Sequence, residues 1–319
     1  MTDVRSCPNP IDEKKWVKVD SLCERKQKIL AVVVTYFPDA SLKLRILKIR
    51  DQFDEVIVID NTPSMETPLE LQLLTGISNL SILRMKRNTG IAYALNEGLK
   101  YARNHGYLWV GTFDQDSTIP ENYLKDIFAS LSQIQRNDKV AILSPVYLLP
   151  TGVKKSFSSE DKKVKPIREV PLTMTSGNLL NVSIAESIGG FDEDLFIDYV
   201  DFDICLRIRH HGYKIIENIN VVLIHELGVN FCQKKFLWIK VGIPNYPAIR
   251  VYYITRNRLI LYSRYWRFFP GFVLNDVLRL SVAIGKIIFF ESDKKEKLKA
   301  FIIGFMDGIL GHMKVEISV

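Results

Sequence analysis

Ile29–Asp60, ILAVVVTYFPDASLKLRILKIRDQFDEVIVID, is the stretch that decides the fold. Its two ends, ILAVVVT and VIVI, are short continuous apolar runs rich in β-branched residues. That is the pattern of strands buried on both faces of a parallel sheet. Between them, Ser41–Arg50 sets Leu42, Leu44, Ile46, Leu47 and Ile49 among basic residues, as a helix does. Strand, helix, strand is the simplest reading.

The alternation continues outward. Ile82–Met85 is a weaker strand, Asn88-Thr89-Gly90 a turn, and Ile91–Asn104 a helix that Gly106 stops. Leu108–Phe113, LWVGTF, is the next strand. The order predicts an α/β protein with an open sheet, whose ligands sit at the carboxyl ends of the strands. Asp60 follows VIVI and Asp114-Gln115-Asp116 follows LWVGTF, so acids collect at that edge. Val153–Lys165 is polar and lysine-rich, a loop that crosses the ligand edge or, the reading favoured, a solvated excursion. Thr173–Leu180, TMTSGNLL, returns an apolar strand through Ser176-Gly177, where backbone can approach a ligand closely.

With 319 residues, 47% hydrophobic and 25% charged, the chain is globular and long enough for one large domain plus an appendage. Its four cysteines, Cys7, Cys23, Cys205 and Cys232, show no metal-knuckle or disulfide spacing and fit a reducing compartment. Met1–Lys28 is polar and broken by Pro8 and Pro10. It reads as an N-terminal extension without an export signal, so the rest of the chain is expected to stay in the cytosol. The net charge of +7 is uneven, since Gln233–Lys299 holds 14 Lys/Arg against 4 Asp/Glu. Arginines there interleave with Tyr252, Tyr253, Tyr262, Tyr265, Trp266, Phe268 and Phe269, a composition suited to anionic lipid or nucleic acid. Acids at strand ends would repel nucleic-acid phosphates, so no nucleic acid is expected as partner. After Pro270, GFVLNDVLRLSVAIGKIIFF reaches the length of a membrane span, but Asp276, Arg279 and Lys286 line one face at helical period. An amphipathic helix lying in an anionic membrane interface follows; the alternative buries those faces internally or in a homo-oligomer.

Two carboxylates separated by one residue at a strand end can hold a divalent cation that neutralises a diphosphate leaving group, a role Asp114 and Asp116 fit. Strand-end aspartates also cap turns, so the pair alone is weak. The cluster Asp198-Tyr199-Val200-Asp201-Phe202-Asp203 opens a helix that ends near Gly212. It reads either as an acidic helix N-terminus or as the source of a general base. His225 closes the strand VVLIH, where it is structural or a third ligand for Mn²⁺ or Mg²⁺.

In order, VVVTYFP, VIVIDN, RNTGIAYALNEGL, FDQDS, TSGNLL, GGFDEDLFIDYVDFDICLR and VVLIHELG resemble the family 2 inverting glycosyltransferases of the GT-A fold, and among them the bacterial rhamnosyltransferases. The resemblance runs from about Ile29 to Arg258. It implies that Thr35, Tyr36, Phe37 and Asp60 hold the nucleoside, and that Arg87, Asn88 and Gly90 lie near the diphosphate and sugar. It implies further that Asp114 and Asp116 bind Mn²⁺ or Mg²⁺ with His225, the second aspartate being the better ligand, and that Asp201 is the base. Where many relatives carry Glu-Asp, this chain has Val200-Asp201, with Asp198 two residues earlier. The implied donor is a nucleotide sugar, dTDP-β-L-rhamnose favoured over UDP-sugars, and the implied acceptor is a lipid-linked saccharide of a surface polysaccharide of the O-antigen type. The expected division is a polar extension (1–28), a GT-A catalytic domain (29–232) and a helical membrane-associating region (233–319), acting peripherally at the cytoplasmic face of the plasma membrane. A non-catalytic nucleotide-sugar-binding module is the alternative of another class.

Overall fold

β1 (Ile29–Thr35) and β2 (Glu55–Asp60) pair in parallel, with Val33 opposite Val58 and Thr35 opposite Asp60, and α1 (Leu42–Arg50) joins them. Every residue of β1 but Val34 is buried, because helices cover both faces of the sheet there. The computed structural model describes residues 28–134, 139–148, 154–155, 166–224, 232–236 and 239–312, with backbone alone at 154–155, 232–236 and 239–241.

After the short α2 (Leu69–Gln72), β3 (Leu80–Arg84) adds in parallel to β2. α3 (Ile91–Asn104) then returns the chain to β4 (Trp109–Asp114), which pairs in parallel with β1. Gly106, at φ +73°, ends that helix as expected, and Gly98 lets it lie close on the sheet: a Cβ there would stand 2.6 Å from Val32 Cγ2. α4 (Tyr123–Phe128), β5 (Val140–Leu148), β6 (Lys154–Lys155), β7 (Ile167–Glu169), β8 (Asn178–Asn181), α5 (Val182–Ser187), α6 (Val200–His210) and β9 (Lys214–Ile224) follow. The strand order is β3-β2-β1-β4-β8-β5-β9-β7, with β6 on β5. β8 runs antiparallel to both neighbours, so β1–β5 and β9 all point one way and their carboxyl ends form one edge. This is the open, mostly parallel α/β sheet that the sequence predicts.

β8 is shorter than the strand expected over Thr173–Leu180. Side chains claim the preceding carbonyls: Thr112 Oγ1 donates to Thr175 O at 2.6 Å, and Asn178 Nδ2 donates to Met174 O at 2.5 Å. Those residues have no ladder to join. The expected loop at Val153–Lys165 falls almost wholly outside the described residues.

A hairpin of β10 (Cys232–Phe236) and β11 (Ile239–Ile243) leads to α7 (Ala248–Tyr265), α8 (Pro270–Phe289) and α9 (Lys294–Leu310). The expected boundary after residue 232 falls inside β10. α7 corrects the reading of its Arg and aromatic residues as a lipid-facing band. Tyr252, Tyr253, Arg256, Asn257, Arg258 and Tyr265 are all buried, Tyr252 against α9 and Tyr253, Arg256, Asn257 and Tyr265 against the segment from Asp194 to Asp203. α9 packs on α7 through Gly304 and Gly308; a Cβ at Gly304 would meet Tyr252 O at 2.5 Å. α8 is different, burying only Asp276 and Ile287 of its 20 residues. Among the described residues no helix is long and apolar enough to cross a membrane.

Candidate active site

A cavity of about 1100 Å³ opens at the carboxyl edge of the sheet and extends to α8. β1 brings Thr35 and Tyr36 to it, the turn before α3 brings Asn88 and Gly90, the end of β4 brings Asp114, Gln115 and Asp116, and α6 brings Asp201. These eight expected site residues, from four separate segments, line one wall system.

The segment at β4 is fixed from several sides. Tyr36 N donates to Gln115 Oε1 at 2.8 Å while Gln115 Nε2 donates to Tyr36 O at 3.2 Å, so the glutamine side chain pairs with β1's exit as a strand would. Arg45 Nε donates to Gln115 O at 2.6 Å and its Nη2 grips Asp39 at 2.7 Å. Ser176 and Gly177 stand behind this segment and not in the cavity wall. Asp114 N donates to Ser176 Oγ at 3.1 Å, and Gly177 N donates to Thr112 O at 2.6 Å. Gly177 sits at φ +77° against Leu223, where a Cβ would come within 2.8 Å.

Asp60 is fully buried beside the cavity. Its Oδ1 accepts from Thr35 Oγ1 at 2.9 Å and Thr62 Oγ1 at 2.7 Å, and its Oδ2 faces Arg84 Nε at 3.3 Å. Phe37, at 61% exposure, and the exposed Arg87 lie outside the cavity lining. Asn61, not singled out in the sequence, ties the turn to the sheet: its Nδ2 donates to Gly90 O at 3.0 Å and its Oδ1 accepts from Thr89 Oγ1 at 2.7 Å.

Asp201 follows a strained approach. Phe196, Asp198 and Tyr199 all adopt positive φ, of 62°, 62° and 65°, which non-glycine residues hold only when their surroundings enforce it. The enforcement comes from α7. Asn257 Nδ2 lies 2.8 Å from each of the Leu195, Ile197 and Asp198 carbonyls, Arg256 Nη2 donates to Asp194 O at 2.6 Å, and Arg250 grips both oxygens of Asp198. Asp198 is therefore committed to Arg250. Asp203 is fully buried between Arg207 at 2.7 Å and Arg264 at 3.3 Å, and accepts from Tyr265 Oη at 2.8 Å. Asp201 is half-buried on the cavity wall, with Oδ1 accepting from Phe202 N at 2.9 Å. Burial pushes the nearby Cys205 thiol and Tyr147 phenol far up, so both stay neutral.

Asp114 and Asp116 supply oxygen donors on one side of the cavity, a set that suits a hard divalent cation. Among the described residues no group of three or more His, Cys, Asp or Glu surrounds a common point. His225 lies outside the described residues, but the preceding Ile224 bridges Thr118 in both directions at 3.2 Å, just past Asp116.

The mostly parallel sheet with this cavity at its carboxyl edge defines a GT-A-like nucleotide-sugar fold. Residues 31–158 match the glycosyl transferase family 2 model, which supports a glycosyltransferase class. Over 297 residues it is 29% identical to the dTDP-rhamnosyl transferase RfbF of Shigella flexneri, an alignment spanning 89% of this chain and 96% of that protein. The crystal structure of GalNAc-T7 with UDP, GalNAc and Mn²⁺ has a similar fold at TM-score 0.55 and 12% identity, covering 91% of this chain and 57% of that one. This chain thus spans little more than half of GalNAc-T7. The crystal structure of S. aureus TarS 1–349 in complex with UDP-GlcNAc is similar at TM-score 0.55 and 15% identity, covering 88% and 81%.

Proposed function

We propose that the protein transfers L-rhamnose from dTDP-β-L-rhamnose, with inversion, to a lipid-linked saccharide of a surface polysaccharide, using a divalent cation. The observation that carries the reading is the convergence of Asp114, Gln115 and Asp116 with Asp201 on one cavity, from segments far apart in sequence. The likeness to a dTDP-rhamnosyl transferase along nearly all of both chains supports the choice of donor.

In the reaction, an acceptor hydroxyl oxygen attacks the anomeric carbon, the Asp201 carboxylate takes its proton, and the bond from that carbon to the diphosphate breaks on the opposite face. The electron pair leaves with the nucleoside diphosphate. A single displacement inverts the configuration. Asp114 and Asp116 would hold Mn²⁺ or Mg²⁺, whose charge would stabilise the departing diphosphate. Tyr36, Asn88 and Gly90 border the donor, and the Tyr36–Gln115 pairing keeps that wall in place. Action at the cytoplasmic membrane face is supported by exposed apolar residues on α8 and α9, such as Leu278 at 61%, Phe289 at 71% and Ile302 at 61%.

The test is diphosphate release from a panel of nucleotide sugars, with Mn²⁺, Mg²⁺ or chelator and a detergent-solubilised lipid-linked acceptor. Metal-dependent turnover of dTDP-rhamnose, lost in Asp201→Asn while donor still binds, is the expected result. Turnover with a UDP-sugar alone would overturn the donor, and binding without turnover on any acceptor would favour a binding module.

A further inference from the structure

The α8 side of the cavity has a chemistry that the proposed donor site does not use. Its wall there is α8, where Arg279 and Lys286 lie two turns apart on one face. Neither side chain makes a hydrogen bond or ion pair with the described residues, although both residues line the cavity. Arg258 of α7, only 9% exposed, lines the same region. Its Nε serves Tyr199 and Asp276, and its Nη1 is a buried donor without an acceptor. A buried guanidinium nitrogen left without a partner is a costly arrangement unless a ligand completes it.

The lip of the cavity beside these cations is apolar. Leu278 and Val282 both line the cavity and remain 61% and 59% exposed, continuous with Leu274 and Phe289 on the outer face of α8. Cations lining the cavity, of which Arg258 is buried, beside exposed hydrocarbon complement an amphiphile whose anionic group meets the cations and whose chain stays out. The nearby acids leave the charges of Arg279 and Lys286 uncompensated: Asp276 is taken up by Arg258 at 3.2 Å, Tyr199 Oη at 2.9 Å and Tyr262 Oη at 2.8 Å, and Glu291 pairs with Lys297 at 2.8 Å.

We infer that Arg258, Arg279 and Lys286 form a phosphate-binding subsite for the phosphate or diphosphate joining the acceptor saccharide to its apolar carrier, with the carrier leaving over Leu278 and Val282. The subsite rests on the transferase reading for its placement on the acceptor side. Its occupant orients the saccharide toward Asp201, on the same cavity.

Binding of decyl diphosphate to the full chain, with chelator present and dTDP saturating, tests the subsite without donor sugar or turnover, so its failure is separate from failure of the transferase reading. Decyl diphosphate is expected to bind and decanol not to, and Arg279→Ala/Lys286→Ala is expected to weaken binding about ten-fold or more with dTDP affinity unchanged. Arg279 is exposed and Lys286 partly so, and neither is paired, so this variant retains its fold; an unchanged thermal unfolding midpoint verifies that. Equal binding by wild type and variant, or full displacement by dTDP, overturns the subsite. Inorganic diphosphate binding as tightly as decyl diphosphate overturns the apolar carrier.

Discussion

Arg250 of α7 holds Asp198 across 52 residues of sequence, its Nη2 2.9 Å and its Nε 3.0 Å from the two carboxylate oxygens. Asp198 lies in the left-handed turn that delivers Asp201, so α7 sets the position of Asp201.

Arg250→Ala is therefore expected to lower transfer activity by more than about ten-fold while lowering stability by only about 1–2 kcal/mol, since Arg250 is partly exposed and its pair partly screened. Steady-state kinetics alongside chemical denaturation measures both. An effect confined to stability would show that the turn keeps its shape without the ion pair.

Asn257 is fully buried, and its amide serves three carbonyls of the same turn. Asn257→Ala orphans those acceptors and is expected to destabilise by about 2–4 kcal/mol. Asn257→Asp, which presents an acceptor to acceptors, should be worse. Urea unfolding of the two variants ranks them.

Gly90 combines φ +83° with a contact that leaves no room for a side chain: a Cβ would lie 2.6 Å from Phe196 Cδ2 and 2.7 Å from Phe196 O. Gly90→Ala should cost about 1–3 kcal/mol and raise KM for the donor, because the turn bearing Asn88 must move. Donor binding measured by calorimetry against wild type reads this.

Gly304→Val drives a branched side chain into the Tyr252 carbonyl, 2.5 Å from a Cβ at that position. Loosening of α9 from α7 by about 1–3 kcal/mol is expected, with nucleotide binding at the sheet edge unaffected. Limited proteolysis within α9 together with dTDP titration separates the two regions.

The same α7–α9 contact has a pH limit. Burial and the hydrogen bond from Tyr252 Oη to Asp307 Oδ2, 2.9 Å, raise the tyrosine pKa from 10.0 to about 12. Because the folded value is the higher one, its stabilisation is complete below pH 10.0 and is lost as pH rises through about 12. Alkaline unfolding of the wild type should be steeper across that window than that of Tyr252→Phe, which has no proton to lose.

The elements that the sequence reveals are those whose burial is decided locally. β1, β2 and β4 are apolar runs covered on both faces, and α3 has its stop at Gly106. Asp114 and Asp116 were legible for the same reason, since a strand end points at the ligand edge whatever the rest of the chain does. Ser176-Gly177 was legible as a close approach, but the approach is to the backbone of β4 and not to the cavity. Asp60 was legible as a strand-end acid, yet its hydrogen bonds to Thr35 and Thr62 depend on the exit geometry of two strands.

By itself, the sequence determined the strand and helix alternation, the acids at the carboxyl edge and the helix opened by the cluster Asp198–Asp203, because these follow from side-chain periodicity and from residues adjacent in the chain. Only the tertiary structure decided that Arg256, Asn257 and Arg258 are internal braces, not lipid-facing side chains, and that Asp198 is committed to Arg250 and Asp203 to Arg207 and Arg264, while Asp201 lines the cavity. The physical reason is that charge and hydrophobicity can be read along a chain, whereas which acid a buried arginine neutralises depends on the packing of α7 against a turn some sixty residues earlier.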